Sequence, residues 1–129
     1  MFLQIKNVLN EAEVARLVAL SAELRFVDGR VSNPANVTKQ NQQADPNDAK
    51  SAESVQILQA ALARSRELID FSMPRRIAPP LLCRYAAGMK YGAHADAAVI
   101  NLAAGRLRSD VSCTVFIAHP ATYEGGELA

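Results

Sequence analysis

The sequence has no apolar run long enough to cross a membrane. Residues 1–6 also lack the basic region, apolar block and small-residue cleavage site of a secretion signal. Neither sign of charge is in excess, because 14 basic residues stand against 13 acidic ones, and this balance argues against a nucleic-acid-binding surface. We therefore expect a cytoplasmic protein that binds neither nucleic acid nor membranes.

Several common catalytic motifs are also missing. The sequence contains no phosphate-binding glycine loop, no Cys-x-x-Cys metal site and no serine nucleophile motif. Its two cysteines, Cys83 and Cys113, each lie in an apolar, strand-like run, where a free cysteine commonly behaves as a small buried hydrophobe. A reducing compartment disfavours a disulfide between them. These patterns predict two buried, free thiols.

The length and apolar content fit one domain, which we place at residues 1–129. Half of the residues are hydrophobic, which is enough to build a core. Helical patterns occupy about residues 1–72 and strand-like patterns about residues 76–129. This order predicts an α+β fold in which helices cover the outside of an antiparallel sheet.

A capping box marks the start of a first helix. Asn10 and Glu13 have the spacing at which two side chains satisfy backbone donors at a helix end. Apolar residues then recur at helical spacing, which predicts a helix over about residues 11–24. The predicted inner face consists of Val14, Leu17, Val18, Leu20 and Leu24.

A polar segment follows at residues 30–47 and is rich in Asn and Gln. This composition predicts a surface loop, and long polar loops often line or cover an active-site mouth. The candidates for substrate contact in this segment are Arg30, Lys39 and Asn41. The segment ends at Asp45-Pro46, a capping residue before proline, which predicts the start of a second helix that ends near residues 66–70.

Extended patterns predict the strands. Short strands are expected at residues 2–5, 25–27 and 81–85, and the strictest alternation of apolar and polar residues lies at 110–118. Residues 106–108 are expected to form a turn that leads into this last strand.

The pair His94 and Asp96 is the candidate metal site. Side chains two residues apart in an extended segment project to the same side. An imidazole and a carboxylate are two of the three ligands in the facial triad that holds non-haem Fe(II) and leaves positions open for oxygen and a co-substrate. A hydrogen-bonded His–carboxylate pair near a turn is the alternative, since so short a motif also arises by chance.

The residues around this pair resemble the core of the PKHD-type hydroxylases, bacterial relatives of prolyl and lysyl hydroxylases among the Fe(II)/2-oxoglutarate dioxygenases. The matching residues are Arg84-Tyr85, Gly88-Met89, Tyr91-Gly92 and His94-x-Asp96. Similar segments lie in the family's order at residues 27–30, 74–77, 79–81 and 123–128. The resemblance covers essentially the whole chain, but only the first part of such an enzyme.

The resemblance implies an Fe(II)- and 2-oxoglutarate-dependent hydroxylase with ascorbate as a reductant. It also implies N-terminal helices packed on an incomplete double-stranded β-helix, or jelly roll. The family's second iron-binding histidine and its basic anchor for 2-oxoglutarate are expected beyond the matched part.

Four residues carry the implied site. His94 and Asp96 match the family's first iron-binding histidine and its carboxylate. Tyr85 stands where related hydroxylases often use a tyrosine hydroxyl to hold 2-oxoglutarate, although a core tyrosine with its hydroxyl at the rim is an equal alternative. Tyr91 either shapes the iron pocket or packs against it. Ala97 departs from the asparagine that usually follows the family's His-x-Asp.

The other charged candidates have simpler explanations. His119 precedes Pro120 and is expected to be an exposed turn histidine, too close in sequence to Asp96 to be the distal ligand. Arginine can hold a carboxylate through two hydrogen bonds, but a solvated surface explains the remaining arginines equally well. These are Arg75, Arg76, Arg106 and Arg108.

Two functions are compatible with the sequence. The first is part of a hydroxylase that acts on a small-molecule or peptide substrate. The second is a non-enzymatic, β-rich remnant that acts as a binding or assembly module. An incomplete β-helix leaves strand edges uncovered, and such edges are templates for association, so the chain is expected to associate, either as a homodimer or as aggregates.

Overall fold

Helices and short antiparallel strands are both present in residues 1–128, the part of the chain that the computed structural model describes, and the mixed α+β class is confirmed. The α-helices are α1 (Glu11–Glu23), α2 (Ala49–Arg64) and α3 (Arg66–Ser72). The strands are β1 (Phe26–Asp28), β2 (Lys39–Gln40), β3 (Gln42–Ala44), β4 (Cys83–Arg84), β5 (Lys90–Tyr91), β6 (Val99–Leu102) and β7 (Gly105–Arg108). Two 3-10 turns lie at Gly29–Ser32 and Pro120–Thr122.

Helix α1 begins at the predicted capping box. The Asn10 side chain accepts a hydrogen bond from the Glu13 backbone N–H at 2.9 Å, and the Glu13 carboxylate accepts one from the Asn10 N–H at 2.9 Å. Leu17 and Leu20 are fully buried on the inner face, as predicted. Val18 is exposed, so its assignment to that face was wrong.

The hydrophobic core lies where α1 and α2 pack together and against the sheet. Its centre is formed by Leu20, Leu24, Ala44 and Leu82, with Phe26, Ile57 and Ile117 packed around it. Helix α2 adds Leu58, Ala61 and Leu62 to the buried residues. Each fully buried leucine stabilises the fold by about 1.5–3 kcal/mol.

The second helix starts later than predicted and is divided in two. Asp45 accepts a hydrogen bond from the Asn47 N–H at 2.8 Å, so this residue stabilises a turn rather than the helix start. Asp48 is the N-cap of α2 and accepts from the Lys50 N–H at 3.0 Å. At the far end, Ser65 ends α2 and caps α3.

The three-stranded antiparallel sheet has the order β1-β3-β4. The predicted surface loop at residues 30–47 is therefore wrong for its second half, which supplies the central strand β3. The side chains at Lys39, Asn41 and Gln43 alternate inward, and each residue is at most 6% exposed. Composition is misleading here because the buried positions of residues 39–43 are occupied by polar side chains.

Two smaller antiparallel pairs complete the strands. β2 pairs with β5 through Lys39 opposite Tyr91, and β6 forms a hairpin with β7. Residues 106–108, expected to be a turn, lie in β7 instead. The turn is at residues 103–104.

Three other strand predictions need correction. Residues 2–5 and 110–118 form no strand in the described part of the chain, and the strand expected at 81–85 is only Cys83–Arg84. Alternation alone was misleading at 110–118 because a strand also needs a neighbour with which to exchange hydrogen bonds.

Cys83 and Cys113 are free but exposed, so their predicted burial is wrong. No helix within residues 1–128 is long and apolar enough to cross a bilayer.

Candidate functional site

The structure brings His94 and Asp96 together. His94 Nε2 lies 3.3 Å from Asp96 Oδ1, with both residues in the irregular segment between β5 and β6 rather than on a strand. The other ring nitrogen, His94 Nδ1, is 2.7 Å from the Gly92 carbonyl oxygen. Because a carbonyl only accepts, Nδ1 carries a proton, and Nε2 is the ring nitrogen on the side of Asp96.

Tyr91 fixes the plane of the His94 ring. The two rings are stacked with their centroids 3.7 Å apart and their planes 10° from parallel. The Tyr91 hydroxyl accepts hydrogen bonds from the side-chain amides of Asn33 and Asn36, each at 3.4 Å. The histidine is therefore supported by a tyrosine that is itself held at its far end.

Tyr85 follows β4 and is half exposed. Its hydroxyl accepts a hydrogen bond of 2.9 Å from the Asn41 side-chain amide, so the phenolic proton is free to be donated elsewhere. Burial of the phenol raises the pKa of Tyr85, and the hydrogen bond from Asn41 acts in the opposite direction. The hydroxyl is therefore a neutral donor at physiological pH.

Residues that precede β3 support both tyrosines. The Asn41 carbonyl accepts from the Gly29 N–H at 2.9 Å, which ties this segment to the 3-10 turn at Gly29–Ser32. Lys39 Nζ donates to Ser32 Oγ at 2.7 Å and lies 5.4 Å from the centroid of the Tyr91 ring. Sequence reasoning had placed Lys39 and Asn41 on a surface loop. Residues 39–43 are all polar, so the sequence contains no alternation that could have indicated which of them are buried.

Arg30, the third candidate in the polar segment, is paired with Asp28. Its Nη2 lies 2.7 Å from Asp28 Oδ2, and its backbone N–H donates to Oδ1 at 2.9 Å. Chiefly because of the Arg30 guanidinium, the pKa of the Asp28 carboxyl falls from 3.8 to about 2. The arginine is thus engaged within the fold.

The remaining candidates lie outside this arrangement. His119 is exposed and caps the 3-10 turn at Pro120–Thr122 by accepting from the Ala121 N–H at 3.2 Å, as a turn histidine would. Arg108 pairs with Asp110 at 2.8 Å. Arg75, Arg76 and Arg106 are also exposed.

The donor set of His94 and Asp96 fits a divalent cation such as Fe(II). Two ligand atoms at right angles, with bonds about 2.1 Å long, lie about 3 Å apart, and Nε2 and Oδ1 are separated by 3.3 Å. Among residues 1–128 no third His, Cys, Asp or Glu completes a metal-binding cluster. The described residues therefore provide two ligands.

Comparison with known proteins gives a consistent result. The chain is 46% identical over 126 residues to a PKHD-type hydroxylase of Sphingopyxis alaskensis, covering 97% of this chain and 57% of that protein. It is 39% identical to PKHD-type hydroxylases of Thioalkalivibrio sulfidiphilus over 130 residues and of Klebsiella pneumoniae over 131 residues, covering 99% of this chain and 58% of each relative.

The chain spans little more than half the length of the curated relatives it matches. No family model matches it. The similarity to these relatives nevertheless extends over nearly every residue of the chain, including the segment with the tyrosines and the His-x-Asp pair. On this similarity, the chain is a relative of the PKHD-type hydroxylases over nearly its whole length.

Proposed function

We propose that the chain is part of an Fe(II)- and 2-oxoglutarate-dependent hydroxylase in which His94 and Asp96 bind the iron. The observation that carries this proposal is the separation of 3.3 Å between Nε2 and Oδ1. It is supported by the hydrogen bond from Nδ1 to the Gly92 carbonyl, which orients the ring so that Nε2 is the nitrogen available to a metal.

The tyrosines have separate roles in this proposal. Tyr91 orients the His94 imidazole by stacking on it. Tyr85 donates its free phenolic proton to a carboxylate oxygen of 2-oxoglutarate, since its own oxygen already accepts from Asn41. Tyr91 also has a free phenolic proton, because its oxygen accepts from two asparagines.

When bound, iron supplies the site at which 2-oxoglutarate and O2 give succinate and CO2 while one oxygen atom enters a substrate C–H bond. The residues of this chain bind and orient the metal and the co-substrate. We assign ascorbate the role of accompanying reductant, as the family resemblance implies, and a small molecule or peptide the role of substrate.

We also propose that the strands belong to a jelly roll. All strand pairs in the described part of the chain are antiparallel, in three separate small sheets, which is compatible with that architecture. The helices α1 and α2 would then cover the outside of the β1-β3-β4 sheet.

Anaerobic titration tests the iron assignment. Addition of Fe(II) and 2-oxoglutarate to the purified chain should produce the weak visible charge-transfer band of the chelate, and His94→Ala should abolish it. His119→Ala is the matched control, because it removes the other histidine of the chain without changing the pair. A band that persists in His94→Ala, or one lost equally in His119→Ala, would contradict the assignment.

A second candidate function is a non-enzymatic assembly module. The exposure of several large apolar side chains in the last third of the chain favours this alternative. They are Val99, Val111, Phe116, Tyr123 and Leu128. A chain that associates through these residues and gives no iron-dependent band would support the module over the enzyme.

A further inference from the structure

Lys39 is buried to an unusual degree for a lysine. The residue is 6% exposed and lies in β2, directly opposite Tyr91 of β5. Lysine is almost never fully buried unless its ammonium is paired. The groups around its ammonium therefore indicate whether Lys39 has a role beyond stabilising the fold.

The partners of the Lys39 ammonium are neutral. Nζ donates to Ser32 Oγ at 2.7 Å and lies 5.4 Å from the Tyr91 ring centroid. The Ser32 hydroxyl in turn donates to the Gly29 carbonyl at 3.1 Å. Within residues 1–128, Lys39 forms no ion pair with a carboxylate. One hydrogen bond also leaves two of the three ammonium protons for other acceptors.

One carboxylate that is affected by the Lys39 charge already has another partner. Asp28 lies in β1, and the Lys39 charge makes a small contribution to the lowered pKa of its carboxyl. The main cause is Arg30, which holds both carboxylate oxygens through its Nε and Nη2. The Asp28 charge is therefore balanced by Arg30 and leaves the Lys39 charge uncompensated.

Burial of an ammonium without a counter-charge is unfavourable, and an anion at the same place relieves the cost. Two further donors belong to the same part of the fold. Tyr91 faces Lys39 across the β2–β5 pair, and Tyr85 is bound by Asn41, two residues along the chain from Lys39. Both hydroxyls accept hydrogen bonds and keep their own protons for donation. One ammonium and two hydroxyl donors match a carboxylate.

We propose that Lys39 binds a carboxylate group of a ligand at the site formed with Tyr85 and Tyr91. The flexible four-carbon stem of lysine allows the ammonium to reach a ligand at the exposed edge of the site. The inference deepens the proposed function and rests on it only for the choice between two sources of the carboxylate, 2-oxoglutarate and the substrate to be hydroxylated.

Calorimetric titration of the metal-free chain with succinate tests the proposal without iron. Lys39→Met keeps an unbranched, apolar side chain of similar size but removes the charge, and it should weaken binding about tenfold. Lys39→Arg should retain most of the affinity. Lys90→Met is the matched control, because Lys90 is an exposed lysine on the neighbouring strand β5 and its loss should leave binding unchanged.

A second titration identifies the source of the carboxylate. The chain is first loaded anaerobically with Fe(II) and 2-oxoglutarate, and succinate is then added. If loading blocks the Lys39-dependent binding of succinate, the site holds the carboxylate of 2-oxoglutarate. If succinate still binds in a Lys39-dependent manner, the site holds a carboxylate of the hydroxylated substrate.

The proposal is overturned if succinate does not bind to the metal-free chain, if Lys39→Met binds it like wild type, or if Lys90→Met weakens it equally. Should Lys39→Met fail to fold, the Nζ resonance of Lys39 in ¹⁵N-labelled wild type decides, and the absence of a change with succinate counts against the proposal. His94→Ala should still bind succinate, so loss of iron binding and loss of carboxylate binding are distinguishable.

Discussion

The Tyr85 hydroxyl accepts a hydrogen bond of 2.9 Å from the side-chain amide of Asn41, a residue 44 positions earlier in the chain. This bond joins the polar segment before β3 to the residue after β4. Asn41 is 5% exposed, and its Oδ1 is buried without a hydrogen-bond partner in the described part of the chain. The position of Tyr85 thus depends on a side chain that has little freedom to move.

Asn41→Ala should destabilise the fold by about 1 kcal/mol, because it removes a part-buried hydrogen bond, and loss of the acceptor Oδ1 that has no partner offsets only some of that cost. Urea unfolding measures the change. Tyr85→Phe removes the same bond from the other side, so the double variant should lose less stability than the sum of the two single variants. Strict additivity would show that the two side chains do not interact in solution.

Gly29→Ala should be more harmful than its small volume suggests. A Cβ at Gly29 would collide with Oδ1 of Asn41 and approach the Asn41 backbone oxygen to 3.0 Å. We expect a loss of about 1–3 kcal/mol, typical of overpacking. Gly92→Ala is a useful comparison, because its Cβ would meet only the Thr38 side chain, at 3.1 Å. The test fails if Gly92→Ala lowers the urea midpoint as much as Gly29→Ala.

The double variant Gly29→Ala/Asn41→Ala separates the two parts of this collision. Removal of the Asn41 amide eliminates the clash with its side chain and leaves only the approach to its backbone oxygen. Part of the stability lost in Gly29→Ala should therefore be recovered. If the double variant is no more stable than Gly29→Ala, the destabilisation comes only from the contact of the new Cβ with the Asn41 backbone oxygen.

Acid should weaken the fold through Asp28. Its pKa is about 2 in the folded chain against a usual value of 3.8, chiefly because of Arg30. Since the folded-state pKa is the lower one, the stabilising contribution is complete above the unfolded-state pKa and is lost as the pH falls from 3.8 toward about 2. Urea midpoints measured through this range should decline less steeply in Asp28→Asn than in wild type.

Arg30→Gln provides the complementary measurement. Without the guanidinium, the pKa of Asp28 should return toward its usual value, and the same flattening of the pH dependence should appear. An unchanged slope in both variants would show that the Asp28–Arg30 pair does not contribute to acid sensitivity.

The stack of Tyr91 on His94 should affect metal affinity. Tyr91→Ala removes the ring that holds the imidazole plane, a contact of about 0.5–1.5 kcal/mol between aromatic rings, so Fe(II) binding should weaken up to about tenfold. Tyr91→Phe keeps the ring and should bind Fe(II) like wild type, because the two hydrogen bonds to the hydroxyl are long, at 3.4 Å. Equal affinities in Tyr91→Ala and wild type would exclude an orienting role.

Local signals in the sequence predicted local structure well. The capping box at Asn10 and Glu13 specifies the start of α1, because both of its hydrogen bonds are made within one helical turn. The spacing of His94 and Asp96 likewise brought the two side chains together, although the segment is not a strand. Such features depend on few neighbours, so few residues suffice to predict them.

Features that depend on distant partners were missed. Lys39, Asn41 and Gln43 have polar side chains, and only their placement beside β4 and β5 makes them buried. Conversely, residues 110–118 alternate like a strand but have no ladder partner in the described part of the chain. Burial and strand pairing are tertiary properties. The sequence reveals them only where the buried positions are apolar and the exposed positions are polar.

Self-association of the chain is the last prediction. The hairpin β6–β7 forms a separate two-stranded sheet, and Phe116, in the segment that follows it, is 54% exposed. Two-stranded sheets are marginal without further packing, and unpaired edges favour association. Sedimentation velocity should therefore show a homodimer whose fraction increases with concentration. Phe116→Ser should weaken the dimer about tenfold, since burial of a phenylalanine contributes about 1.5–3 kcal/mol when complete.

Val37→Ser is the control for this measurement. Val37 is 81% exposed but lies in the polar segment before β2, away in sequence from the hairpin and Phe116. Val37→Ser removes exposed apolar surface from another part of the chain. It therefore distinguishes a specific interface around Phe116 from non-specific hydrophobic association. A monomer at all concentrations, or equal weakening by both variants, would exclude an interface around Phe116. A dimer weakened by Phe116→Ser alone would place the contact in the last third of the chain.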